Sequence, residues 1–311
     1  MRFGHQLLTH SKAHENYFDT VFALARATEE LGGIESLWFH DHVMFVNQRR
    51  PEQVFEVMEC FTSMAAVAAV TSRVRIGSYV LGVPYRNPAL VAKAFTTLDL
   101  ISHGRAIVGL GAAWNEVEFR GYGWPFPPAS VRLEMLEEAI QVVLKLMTER
   151  PATFHGQHYT LEAALNDPPP IQKPRPPLMI GGGGERKTLR LVARYADYYN
   201  VFQATPDEAG HKFEVLRQHC REVGRDYDEI VKTNHVTVLI ARDEAELARK
   251  KERYRWFLAH PLIGTPDRVI AQIREYRAAG SQYLIFNLSD AEQMDSLRLM
   301  AEEVIPALID A

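Results

Sequence analysis

Little in this chain could staple, anchor or strongly charge it. Its 311 residues include only two cysteines, Cys60 and Cys220. They lie far apart, with no second Cys or His at ligand spacing, so neither a disulfide framework nor a metal site is expected. Reduced thiols point to the cytoplasm. Nowhere do about 18 apolar residues follow one another, and Met1-Arg2-Phe3-Gly4-His5 lacks the apolar core of a secretion signal. A membrane span and a processed leader are therefore not expected. A formal net charge of −4, with no basic block interleaved with aromatics, argues against nucleic acid as a partner. A G-x-S-x-G elbow is also missing, which disfavours acyl transfer by a serine nucleophile.

What the chain does have is an ordinary globular balance, 47% hydrophobic and 24% charged, and a strict alternation of two periodicities. Strands are predicted over 3–8, 34–40, 74–81, 106–110, 178–180, 198–202, 231–240 and 283–287. Helices are predicted over 15–31, 54–70, 89–101, 131–147, 188–196, 206–223, 244–259 and 294–308, with an extra one over 266–279. Residues 153–161 read as two short strands about a Gly turn, followed by a Pro-rich linker over 168–177. Eight strand-plus-helix units with parallel strands close more naturally into a (β/α)8 TIM barrel than into an open sheet. The expectation is one TIM-barrel domain over 1–311, with an insertion after strand four at about 150–176. Two Rossmann halves are the competing arrangement.

In such a barrel the chemistry belongs at the carboxyl ends of the strands, and the polar clusters fall there. Strand two runs into His40-Asp41-His42, where the histidines suit proton relay or cofactor hydrogen bonding near neutral pH. Strand four runs into Gly109-Leu110-Gly111-Ala112-Ala113-Trp114-Asn115-Glu116. This resembles a dinucleotide fingerprint only superficially, because Trp114 takes the third small position. Trp114, Phe119, Tyr122, Trp124 and Phe126 then crowd one loop as a possible pocket wall. Strand five ends in Gly181 to Gly184 ahead of a helical stretch. Side-chain-free backbone opening onto a helix presents several N–H groups to one point, an arrangement that favours phosphate. Strands one and six offer His5 and Asn200 as further pocket residues. Residues 45–52 are long enough for a flap, from which Arg49 or Arg50 could reach an acidic ligand tail.

The segments Ser36-Leu37-Trp38-Phe39-His40-Asp41-His42, Arg75-Ile76-Gly77-Ser78-Tyr79-Val80-Leu81, Tyr85-Arg86-Asn87-Pro88-Ala89, Gly109 to Glu116 and Pro177 to Gly184, in this order and spacing, resemble the luciferase-like monooxygenase superfamily. The resemblance is nearest to its deazaflavin (coenzyme F420)-dependent oxidoreductases of undefined substrate, and it runs from about residue 2 to 308. It implies a TIM barrel, commonly a homodimer, with a deazaflavin or flavin ring across the strand ends. By that resemblance, Asp41 would hydrogen-bond the ring's pyrimidine edge and His42 would exchange a proton beside it. Tyr79 and Val80 would form a bulge behind the ring, where relatives often have a non-proline cis peptide. Asn115 would contact the ring or tail, and Gly182, Gly183, Gly184 and Arg186 would form the phosphate site. Ala112 stands where a sugar-phosphate-oxidising branch has an acidic residue, which speaks against that substrate.

The implied activity is hydride transfer between F420 and a small organic substrate. The alternative on the same fold is an FMN-dependent monooxygenase that uses oxygen and reduced flavin from a partner reductase. A third reading, of another class, is a catalytically silent cofactor-binding protein.

Overall fold

The protein is described here from a computed structural model, which covers residues 1–7, 10–11, 16–46, 54–254, 261–290 and 294–309. Eight strands follow in chain order, each with a helix: β1 Arg2–Gln6 and α1 Tyr17–Leu31; β2 Ser36–Phe39 and α2 Cys60–Val70; β3 Arg75–Ser78 and α3 Pro88–Ile101; β4 Ala106–Gly111 and α4 Ala129–Thr148. The second half continues with β5 Leu178–Gly181 and α5 Thr188–Tyr195; β6 Tyr198–Phe202 and α6 Pro206–Val223; β7 Val231–Ile240 and α7 Glu244–Tyr254. An additional helix, α8 Pro266–Ala278, precedes β8 Tyr283–Leu288. The fold is the (β/α)8 barrel that the alternation predicts.

The chain divides into two compact units. One comprises Met1–Leu8, Phe18–Trp38 and Gly183–Ala311. Its strands run parallel: β1 pairs β2 with Gly4 opposite Ser36, β1 pairs β8 with Phe3 opposite Leu284, and β7 lies between β6 and β8. β7 is buried along nearly its whole length, as expected of a parallel strand covered on both faces. The other unit comprises Thr9–Tyr17 and Phe39–Gly182. Here β4 pairs in parallel with β3 through Ile76 and Ala106, and with β5 through Leu178 and Val108. The two short strands expected near 153–161 are an antiparallel hairpin of Ala152–His155 and Thr160–Ala164. Among the described residues no helix is long and apolar enough to cross a membrane.

Three expectations need correction. Residues 54–57 are not helical: Val54–Val57 is a strand that pairs antiparallel with Phe45–Val46 and His10–Ser11. The run Val-Phe-Glu-Val is rich in β-formers, and its pairing with two neighbouring segments decides against helix. The helix begins instead at Cys60, where the Glu59 carboxylate accepts a bond from Thr62 N at 2.7 Å. The last helix is interrupted as well. Met294–Leu299 widens into a π-turn over Met300–Val304 before Pro306–Ile309, because Pro306 has no N–H and its ring would meet the carbonyl one turn back. A short strand, Leu262–Gly264, also pairs with the end of β7. Most of the expected flap, Arg49 and Arg50 included, lies outside the described residues.

Where the prediction was sharpest, α6, the local chemistry is complete. Thr205 and Glu208 form a reciprocal capping box (Glu208 N to Thr205 Oγ1 3.3 Å, Thr205 N to Glu208 Oε2 2.8 Å), Pro206 occupies the first turn, and Gly224 closes the helix in the left-handed region at φ 71°. Replacing Thr205 by Ala removes an N-terminal acceptor and is expected to cost about 1 kcal/mol. Urea denaturation of the variant should show a lower midpoint at unchanged slope; an unchanged midpoint would mean the box is dispensable.

Candidate active site

The residues just beyond β2 are gathered by two buried carboxylates. Asp41 accepts from Gly82 N at 3.0 Å and from Arg86 Nη1 at 2.7 Å, both through Oδ2. The other amino group of Arg86 donates to Glu59 at 2.7 Å, the same carboxylate that caps α2. The second oxygen of Asp41, Oδ1, is buried with no hydrogen-bond partner among the described residues. Burial pushes this carboxyl above its usual range, against the opposing pull of Arg86 and the Gly82 N–H.

One residue further on, His42 Nδ1 lies 2.5 Å from Glu118 Oε1. The Glu118 side chain is fully buried, and it also accepts from Val43 N at 3.0 Å, from the Asn115 amide and from Tyr85 Oη at 3.3 Å. Burial opposes ionisation of Glu118, but the His42, Val43 and Asn115 interactions outweigh it and hold the carboxyl below its ordinary 4.5. An ionised Glu118 can only accept, so Nδ1 of His42 carries the proton and Nε2 is the nitrogen free to exchange one. The imidazole sits among rings: Phe45 at 4.8 Å, His40 at 5.2 Å and Trp114 at 5.8 Å, each tilted or edge-on. Trp114 is 56% exposed, unusual for an indole.

Tyr79-Val80 is a non-proline cis peptide, with Tyr79 N donating to Phe39 O at 2.8 Å. Tyr79 is buried, and burial raises its phenol well above the usual range. Val80 packs where β4 and β5 end in glycine: a Cβ on Gly111 would lie 2.6 Å from a Val80 methyl, and one on Gly181 3.0 Å from the other. Glycine is required at 111 by this close approach, while a side chain at 181 would need Val80 to give by a few tenths of an ångström.

The polyglycine corner leads, through a turn at Glu185 to Lys187, into α5. Gly182 has φ 138°, and a side chain on Gly183 would meet nothing within 4 Å, so the backbone there is open on one side. α6 braces the turn: Glu185 pairs with Lys212 at 2.5 Å and His211 at 3.1 Å, while its carbonyl accepts from His219 Nε2 at 2.8 Å. Arg186 is exposed beside it.

The structure places the remaining expected residues elsewhere than an open pocket wall. His5 is wholly buried against α1, its Nδ1 bonded to Thr28 Oγ1 at 2.9 Å and its ring stacked on Phe286 at 5.2 Å. Thr28 gives its own hydroxyl proton to Leu24 O, so it must accept from His5. Asn200 is buried and accepts from Thr233 Oγ1 at 2.8 Å. Asn115 is at the site, but its amide N–H is directed to Glu118. Sequence reasoning missed Glu118, Arg86, Glu59 and Tyr85 as members of the site. The available signal was Asn115 and Glu118 standing three apart at the start of the short helix Glu116–Gly121, which puts both on one face.

Comparison with known proteins adds the following. Residues 1–260 match the model of a family described as luciferase-like monooxygenase. The chain is 27% identical to an F420-dependent glucose-6-phosphate dehydrogenase of Amycolatopsis mediterranei, over 93% of this chain and 94% of that one. It is 33% identical to an uncharacterised protein of Mycobacterium tuberculosis, over 70% and 73%. Among solved structures it is similar to an F420-dependent secondary alcohol dehydrogenase in complex with an F420-acetone adduct, with TM-score 0.81, 22% identity and 99% of each chain covered.

The buried histidines generate a pH prediction. Burial lowers both His5 and His235 from 6.5 to about 3, so each is neutral when folded but protonates near 6.5 when unfolded. Stability is therefore fully present above about 6.5 and drains as pH falls towards about 3. Urea midpoints measured from pH 7 to 4.5 should fall steeply in the wild type. His5→Asn should flatten the slope by up to about 1.4 kcal/mol per pH unit; parallel slopes would refute the neutral assignment.

Proposed function

The chain belongs to the luciferase-like monooxygenase family, and from that premise we propose that it is an F420-dependent oxidoreductase that moves a hydride between the deazaflavin and a small organic substrate. The observation that carries this reading is Asp41. A carboxylate oxygen buried without a donor is costly unless something outside the protein supplies one, and Oδ1 is such an oxygen beside the His42–Glu118 pair. The pyrimidine edge of a deazaflavin or flavin carries N–H groups of the required kind. Near full-length similarity to an F420-dependent dehydrogenase supports the deazaflavin.

In this reading Asp41 holds the pyrimidine edge, the Tyr79-Val80 peptide backs the ring, and Asn115 bears on the ring or tail. Gly182, Gly183 and Gly184 would take the phosphate through main-chain N–H groups, with Arg186 as a helper. A bound deazaflavin supplies a ring carbon that gives or takes a hydride. Everything else falls to the protein. Glu118 fixes the tautomer and orientation of His42, so that Nε2 accepts the substrate's hydroxyl proton in oxidation and returns it in reduction. Arg86, clamped between Asp41 and Glu59, opposes the burial that raises Asp41 and keeps its Oδ2 aimed. His5, held by Thr28 through Nδ1, and Asn200, held by Thr233, are given no part in this reading. A homodimer in the cytoplasm completes the reading, and a reductase partner is required only if FMN replaces F420.

Two measurements test this. Absorbance titration of the purified protein should show F420 binding more tightly than FMN; far tighter FMN binding, with rapid oxygen uptake when reduced FMN and substrate are added, would transfer the assignment to a monooxygenase. In the F420-loaded enzyme, His42→Ala should lower kcat by about 10²- to 10⁴-fold while F420 affinity stays within about threefold. Asp41→Asn should do the reverse, weakening F420 by about tenfold or more. Equal losses of rate and binding in His42→Ala would remove its role as proton donor and acceptor.

A further inference from the structure

The surroundings of His42 also constrain what the enzyme acts on, and this inference rests on the reading above. The loops around His42, over 40–46, 82–87 and 112–132, contain three cations besides histidine: Arg86, Arg120 and Arg132. Each is already engaged. Arg86 bridges Asp41 and Glu59, and Arg120 pairs with Glu116 at 2.8 Å on the helix surface. Arg132 lies over the Phe126 ring at 4.0 Å and donates to Ala112 O and Pro127 O. The same loops hold the buried carboxylates of Asp41 and Glu118. Among the described residues of this cluster, a phosphate or carboxylate near His42 Nε2 would find no uncommitted cation, and it would meet the buried Glu118 carboxylate, an arrangement that low dielectric makes more adverse.

What His42 does face is aromatic. Phe45 and Trp114 stand edge-on to its ring, and Trp114 leaves more than half of its surface uncovered. An exposed indole next to a half-buried imidazole that is anchored on a buried carboxylate is a platform for an apolar body whose polar end meets Nε2. We infer that the substrate is an uncharged apolar alcohol or ketone, and not a phosphorylated sugar of the kind named for the Amycolatopsis relative. In the oxidative direction the O–H and carbinol C–H bonds break. The proton passes to His42 Nε2, the hydride with its electron pair passes to the oxidised deazaflavin, and the C=O bond forms; reduction of the ketone is the reverse.

The test is binding, measured by calorimetry on F420-loaded protein with acetone, cyclohexanone, acetophenone and glucose 6-phosphate as probes. Affinity should rise along the three ketones with apolar area, and glucose 6-phosphate should bind at least tenfold more weakly than acetophenone. Trp114→Ala should weaken acetophenone about tenfold, whereas Trp114→Phe should stay within about threefold; the exposure of the side chain makes unfolding by either change unexpected, and a circular dichroism melt checks it. Tightest binding of glucose 6-phosphate, flat affinity along the ketones, no ketone heat at all, or equal affinity in Trp114→Ala would each overturn the inference. The F420 titration is read first and separately. If F420 does not bind, the cofactor reading fails, and the same probes on FMN-loaded protein still decide the substrate class.

Discussion

Glu118 is the group about which the site is built. One carboxylate, wholly enclosed, accepts from a histidine ring, a backbone N–H, a side-chain amide and a phenol. Four donors converging on two oxygens compensate its desolvation, and the arrangement ties together loops that follow β2, β3 and β4. Because Val43 N and His42 Nδ1 bind the same carboxylate, the backbone and the ring of that segment are fixed at once. A histidine on a strand-end loop would otherwise sample several rotamers; here its ring is held in one orientation.

Asp41, the immediate neighbour of His42, is arranged on a different principle. Among the described residues its partners leave one oxygen without a donor, whereas Glu118 has both of its oxygens engaged. The two carboxylates look interchangeable as buried acids, yet they differ in how many of their lone pairs the protein itself consumes. Arg86 links Asp41 to Glu59, and Glu59 starts α2. The helix cap and Asp41 thus share one guanidinium, and loss of the cap would loosen the aim of Asp41.

The architecture was largely legible in the residues because its signals are local. The strands at 198–202 and 231–240 and the helix at 206–223 fall where expected, and Thr205, Pro206 and Gly224 fix the ends of that helix. Val54–Val57 was misread because an apolar run leading into a helix shares that helix's hydrophobicity, and only cross-strand partners distinguish it. Asp41, His42 and Trp114 could be singled out because strand ends in a barrel are privileged positions. Glu118 could not, since its meaning comes from a histidine 76 residues away. His5 illustrates the opposite error: one place along a strand decides whether a side chain faces the lumen or the helix layer, and Thr28 on α1 places it in the latter.

Val80 occupies volume that Gly111 and Gly181 vacate, and neither glycine could carry even a methyl without displacing it. Positions 80, 111 and 181 therefore behave as a single steric unit contributed by three separate stretches of chain. In divergent descendants of this fold a larger residue at either glycine would be tolerated only alongside a smaller one at 80, so the three should drift together or stand still together.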